Sequence, residues 1–124
     1  MNWSIEAAVS HLRTAARGTS GSRCAQYTRE AIEAGGVRID RTTHAKDYGI
    51  SLERAGFSEV LQGSTIQAGD VAVIQPYPGG NPSGHMAMYD GIIWISDFRQ
   101  RSMCPLPINE TKGIRIFFLI HLCF

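Results

Sequence analysis

Ser22-Arg23-Cys24-Ala25-Gln26-Tyr27 sets a cysteine where a helix begins, directly after the small, polar stretch Gly18-Thr19-Ser20-Gly21. That stretch ends whatever helix precedes it. Ser22 is the expected N-cap of the helix that follows, which runs to about Ala34 and is stopped by Gly35-Gly36. Its expected buried stripe, Ala25, Thr28, Ala31 and Ile32, is small enough for close packing on a sheet. Two apolar stretches supply that sheet. Val71-Ala72-Val73-Ile74-Gln75 follows the turn Gln67-Ala68-Gly69-Asp70, and His85-Met86-Ala87-Met88-Tyr89 follows a Gly- and Pro-rich loop over 76–84.

Outward from these stretches, Trp3, Ala7, Ala8, Leu12 and Ala15 recur at helical spacing and predict an amphipathic helix over 3–17. Val37–Asp40 reads as a short extended piece. Residues 44–55 read as helical with a break at Gly49 and a stop at Gly56, and 57–61 as extended. Asp90-Gly91 predicts a hairpin turn that leads into an antiparallel partner over 92–98. Arg99-Gln100-Arg101-Ser102 reads as polar and exposed, and Pro105 and Pro107 keep the next segment irregular. A last strand is expected over 114–119, with the apolar tail 120–124 packing or pairing. Helices first and an antiparallel meander afterwards give an α+β domain, N-terminal helices packed on one side of an antiparallel β-sheet.

A chain of 124 residues, 44% hydrophobic and 19% charged, fits one globular domain over 1–124. The net charge of +1 and the scattered Lys and Arg argue against a nucleic-acid partner. No apolar run is long enough to span a membrane, so no membrane partner is expected. Met1-Asn2-Trp3-Ser4-Ile5-Glu6 has neither a basic start nor a continuous apolar stretch, so the chain is expected to be made in the cytoplasm without a signal peptide. Of the three cysteines, Cys104 and Cys123 either form a disulfide or stay as free structural thiols, and their spacing leaves both options open.

Acyl transfer needs a nucleophile, a base and a group that orients the base. A free thiol titrates near about 8.5, and a helix N-terminus or a nearby histidine favours its thiolate. Cys24 is expected in that setting, with its own backbone N–H aimed at a developing oxyanion. The alternative is a buried structural cysteine. His85, which opens a strand after a loop, is the candidate base. His11, His44 and His121 lack such a setting. The orienter depends on register. A two-residue Asp90-Gly91 turn puts Ser96 opposite His85, whereas a glycine bulge shifts the pairing and puts Asp97 there. A carboxylate best stabilises an imidazolium, so Asp97 is the candidate orienter. Tyr27, Ser22 and Gly84 are the candidate substrate-binding residues. Tyr27 also reads as a core aromatic, and the 76–84 loop as a plain connection. The Cys and His spacings match no common zinc pattern, so no metal or cofactor is expected.

The stretches 22–27, 67–74 and 84–91, with Trp94-Ile95-Ser96-Asp97-Phe98, resemble the NlpC-like and CHAP amidase superfamily. The resemblance covers about residues 20–100. It implies a papain-like α+β fold and hydrolysis of a peptidoglycan peptide by a Cys nucleophile and a His base, without a metal. Asp at the third place departs from the His, Glu or Asn of many members. Compact size and the missing signal are similar to type VI secretion amidase effectors. That likeness implies action in the periplasm of a target bacterium and a cognate immunity protein. A phage-type endolysin domain, or a cysteine protease or thiol acyltransferase with another substrate, would carry similar residues.

Overall fold

The computed structural model describes residues 3–18, 21, 23–59, 65–76 and 82–100, and the backbone of 116–122. Ser22, the 77–81 part of the loop, Pro105, Pro107 and the pair Cys104 and Cys123 lie outside the described residues.

The helices form where apolar periodicity and capping coincide. Helix α1 (Ile5–Ala15) starts at Ser4, whose hydroxyl accepts the Ala7 N–H at 3.1 Å. It buries Ala8, Val9 and Leu12. Helix α2 (Cys24–Ala34) ends at Gly35, where a Cβ would lie 2.5 Å from the Trp3 ring, so the two helices approach only because that residue is glycine. The expected break at Gly49 falls earlier. A single 3₁₀ turn (Ala45–Asp47) passes directly into α3 (Tyr48–Arg54).

Five strands follow among the described residues: β1 (Phe57–Glu59), β2 (Val71–Ile74), β3 (His85–Tyr89), β4 (Trp94–Ile95) and β5 (Ile116–Leu122). Every pairing is antiparallel, in the order β1-β5-β2-β3-β4. The expected meander is therefore interrupted. The last strand inserts between β1 and β2, a long-range pairing that no local pattern encodes. Val71, Val73, Met86, Met88 and Ile95 form one core with apolar residues of all three helices, so the helices share one face. Ala72, Ile74, Ala87 and Trp94 pack on the other face with Ile66 and Tyr89.

The β3–β4 connection also differs from the expected two-residue turn. Met88 faces Ile95 and Tyr89 faces Trp94, so the loop is 90–93. The Asp90 carboxylate builds it by accepting the N–H groups of Ile92 and Ile93 at 2.8 and 2.7 Å, and it ties the loop to α1 through Arg13 at 2.8 Å. Burial raises the Asp90 carboxyl, but the two N–H groups and the Arg13 guanidinium outweigh it and hold the group below its ordinary value.

Strand β4 is two residues long because the chain reverses at once. Ser96 N–H bonds Phe98 C=O at 3.0 Å, Ile95 bridges Arg99, and Gln100 N–H returns to Trp94 C=O at 2.9 Å. The segment after α1 grips this reversal, with Arg17 N–H on Asp97 C=O at 2.9 Å. Gln100, expected to be exposed, is 3% accessible as a result.

Gly84 sets the start of β3. Its φ is +78°, and a Cβ there would lie 2.5 Å from the Ile74 carbonyl oxygen. Gly84→Ala is expected to lower stability by about 2–4 kcal/mol, from a left-handed backbone plus a backbone clash. Urea unfolding measures this, and a loss within experimental error would contradict the steric argument.

Candidate active site

Strand alternation fixes which way β3 presents its backbone. Tyr89 N–H and C=O bond Asp70 and Gly69 on the β2 side, so Met86 and Met88 present theirs towards β4. Met88 finds its partner there in Ile95. Met86 does not, because β4 has already ended. The first turn of α2 fills the gap. The Met86 N–H lies where it favours the Cys24 thiolate, and the buried Thr28 hydroxyl, which donates to Cys24 C=O at 2.8 Å, lies 3.5 Å from Met86 C=O. Cys24 is thereby seated beside the residue that follows His85.

The approach to α2 is fixed from across the fold. Asp97 is 1% accessible. Its Oδ2 accepts the N–H groups of Gly21 at 2.6 Å and Arg23 at 3.0 Å, and its Oδ1 accepts the Ser96 hydroxyl at 3.3 Å. Arg23, not Ser22, occupies the N-cap position, and it makes no side-chain cap bond. The negative charge that suits a helix N-terminus comes instead from Asp97, distant in sequence.

His85 donates elsewhere than expected. Its Nε2 lies 2.6 Å from Gln100 Oε1, and its ring sits beside Phe98 with centroids 6.4 Å apart. An amide oxygen only accepts, so Nε2 carries the proton and Nδ1 keeps its lone pair. Among the described residues, Gln100 therefore holds the ring position assigned to Asp97. Asp97 acts on His85 through its charge, not through the ring hydrogen bond. The register explains the miss: an alignment extended from β4 would bring Phe98 opposite His85, and the reversal then substitutes Gln100. A polar residue shortly after a two-residue strand was the sole sequence signal.

The electrostatics reverse one expectation. Burial pushes the Cys24 thiol above its ordinary value. The N–H of Met86 opposes this, Asp97 adds to it, and the N–H groups of Ala25 and Cys24 oppose it again. Desolvation wins, so the resting thiol is protonated near neutral pH, not the thiolate that the helix start suggested. Burial likewise lowers the His85 imidazole, with Gln100 and then Asp97 pulling it partly back. The resting pair is neutral. A raised thiol value contributes stability below the unfolded value of 9.0 and loses it as pH rises through the folded value. A lowered imidazole value contributes stability above the unfolded value of 6.5 and loses it as pH falls through the folded value. The pair therefore stabilises the fold most between those two limits.

Cys24 opens onto a cavity of about 530 Å³, whose walls include Arg23, Arg29, Arg41, Ser83 and Gly84. Gly84 is among those walls, and its own requirement is steric. Tyr27 is absent from the described walls and packs, partly buried, against the helix-face core. The three arginines are dispersed in sequence and converge only in the fold.

The shifted thiol gives a direct check. Alkylation of Cys24 by iodoacetamide, followed by peptide mass mapping, is expected to be slower at pH 7 than that of an unstructured cysteine, with a midpoint above 9.0. Asp97→Asn removes a charge that raises both groups, so it is expected to move the Cys24 midpoint down. A midpoint below 8 in the wild type would contradict burial as the dominant influence.

No known family model matches the sequence, and no curated protein does. Solved structures do. A chain of the native type VI effector–immunity complex Tae3–Tai3 from Ralstonia pickettii superposes with a TM-score of 0.87 and 42% identity, over 98% of this chain and 100% of that one. The selenomethionine form of the same complex gives a TM-score of 0.81 and 43% identity, over 93% and 98%.

Proposed function

This chain belongs to the family of type VI effectors that includes Tae3, and from that premise we propose that it is an antibacterial peptidoglycan amidase with a Cys24 nucleophile. The observation that carries the reading is the Cys24 thiol at a helix start within reach of the Met86 N–H, one residue along β3 from a His85 whose Nε2 is engaged by Gln100. A half-buried thiol at a helix start, a neutral imidazole whose Nδ1 keeps its lone pair and a cavity that the cysteine lines supply a nucleophile, a base and a place for substrate.

The neutral pair defines the chemistry. The Cys24 sulfur attacks an amide carbonyl of the stem peptide or its cross-link as its proton passes to His85 Nδ1. Gln100 holds the Nε2–H tautomer, and the Asp97 charge favours the imidazolium that forms. The Cys24 N–H, which a helix start leaves without an intrahelical acceptor, receives the developing oxyanion. His85 then protonates the leaving amine, giving a thioester, and water hydrolyses it with His85 again as base. No step requires a metal or an organic cofactor.

The same reading takes the fold as papain-like, of the NlpC and CHAP type, in a single catalytic domain. It places the site of action in the periplasm of a target bacterium. A cognate immunity protein is the expected partner, in keeping with the effector–immunity complexes to which the chain is similar.

Digestion of purified Gram-negative peptidoglycan, with mass analysis of the released fragments, tests the proposal. The wild type is expected to release new fragments, and Cys24→Ala and His85→Ala to release none above background. Gln100→Ala is expected to lose about 10- to 100-fold in kcat/KM, as a general base loses its fixed tautomer. Equal digestion by Cys24→Ala would remove the cysteine from the mechanism. Cleavage of casein but not of the wall would move the activity to a protein substrate.

The acid limb of kcat/KM follows His85. It is expected below 6.5, because burial lowers the imidazole. In Asp97→Asn it moves lower still, because the carboxylate raises that group. An acid limb above 7 in the wild type would contradict this assignment.

A further inference from the structure

We infer that the cavity beside Cys24 is a subsite for free carboxylates of the substrate peptide, with Arg23 and Arg41 as its anion-binding residues. The inference deepens the amidase reading and rests on it for the identity of the peptide.

The cavity, at about 530 Å³, has room for several residues of a peptide. Its described lining residues include three arginines and no Asp or Glu. Such a concentration is local, since the whole chain has a net charge of only +1. The three arginines are not equivalent. Arg29 is 7% accessible and pairs with Glu33 at 2.9 Å, so its charge is already met within α2. Arg23 and Arg41 are exposed, and the ion pairs among the described residues involve neither of them. Two exposed arginines lining one cavity, outside the ion pairs of the described residues, favour an anion there, and a guanidinium fork fits a carboxylate with two parallel hydrogen bonds.

Their backbones are fixed in advance. Arg23 immediately precedes the reacting sulfur, and Asp97 pins its N–H at 3.0 Å. Arg41 follows a segment anchored by buried Val37 and Ile39, and the Thr42 hydroxyl donates to His44 C=O at 2.8 Å. Ser83, another lining residue, is braced as well: His44 Nδ1 lies 2.8 Å from its hydroxyl, and Lys46 N–H donates to its C=O at 2.9 Å. Binding an anion there requires little reordering of the walls. A stem peptide, with free α-carboxylates near its scissile amides, matches this chemistry. A neutral or cationic peptide does not.

Binding, not turnover, tests the subsite. In a Cys24→Ala background, a synthetic stem tetrapeptide with free carboxylates is titrated calorimetrically against the same peptide with every carboxylate amidated. The acid form is expected to bind at least about tenfold more tightly. Adding Arg23→Gln and Arg41→Gln is expected to abolish that difference, whereas Arg54→Gln, outside the cavity, preserves it. Circular dichroism and thermal melting of each variant verify that the fold is retained.

Equal affinity for the two peptides, no binding of either at millimolar concentration, or an undiminished preference in the double variant would overturn the inference. The catalytic reading is judged separately, by wild-type digestion of peptidoglycan. Acid-selective binding without digestion would leave the subsite and remove the amidase. Digestion with no acid preference would do the reverse.

Discussion

The site depends on an unfinished edge of β3. Met86 directs its N–H and C=O towards a strand that has stopped at Ile95, and buried backbone groups left without partners cost about 1–3 kcal/mol each. The first turn of α2 packs against that edge, with the Met86 N–H favouring the Cys24 thiolate and the Thr28 hydroxyl 3.5 Å from Met86 C=O. This packing seats α2 against the sheet and half-buries the thiol near Met86, the residue that follows His85. The early end of β4 has a second consequence. The reversal at Ser96–Phe98 puts the Asp97 carboxylate on the approach to α2 and returns Gln100 to the His85 ring.

This arrangement explains why nucleophile and base rest uncharged. Desolvation acts against both ions, and it exceeds the help that the thiolate receives from the helix start and the Met86 N–H. The Asp97 charge works in opposite senses on the two groups, against the thiolate and for the imidazolium. Such a site suits proton transfer concerted with attack, because it stabilises the imidazolium once the sulfur's charge has passed to the oxyanion. A standing thiolate is unnecessary, and a protonated thiol is less open to oxidation and to stray electrophiles.

Much of this was legible in the sequence because it is local. The apolar runs of 71–74 and 85–89 and the glycine stop of α2 fall where the structure has them. So does the cysteine at a helix start. The rest depended on long-range geometry. The insertion of β5 between β1 and β2 is decided by pairings distant in sequence. Gln100 lies in a run that reads as solvent-facing, and only the Ser96–Phe98 reversal turns it inward. The 90–93 loop hid behind an Asp-Gly pair that usually signals a tight turn, because the Asp90 carboxylate prefers the Ile92 and Ile93 N–H groups. The sign of the Cys24 shift was also out of reach, since dipole and partner can be read from a motif but desolvation cannot. The arginine cluster is a property of the folded surface alone.

Acylation of the Cys24 sulfur is the central step of the proposed mechanism. The most direct measurement is to mix the wild type with purified peptidoglycan fragments, quench in acid within the first turnover and map the enzyme's peptides by mass. The account predicts a stem-peptide acyl adduct on Cys24 that disappears on longer incubation and is absent from Cys24→Ala. Release of cleaved fragments at full rate with no adduct on Cys24, together with undiminished cleavage by Cys24→Ala, would contradict it.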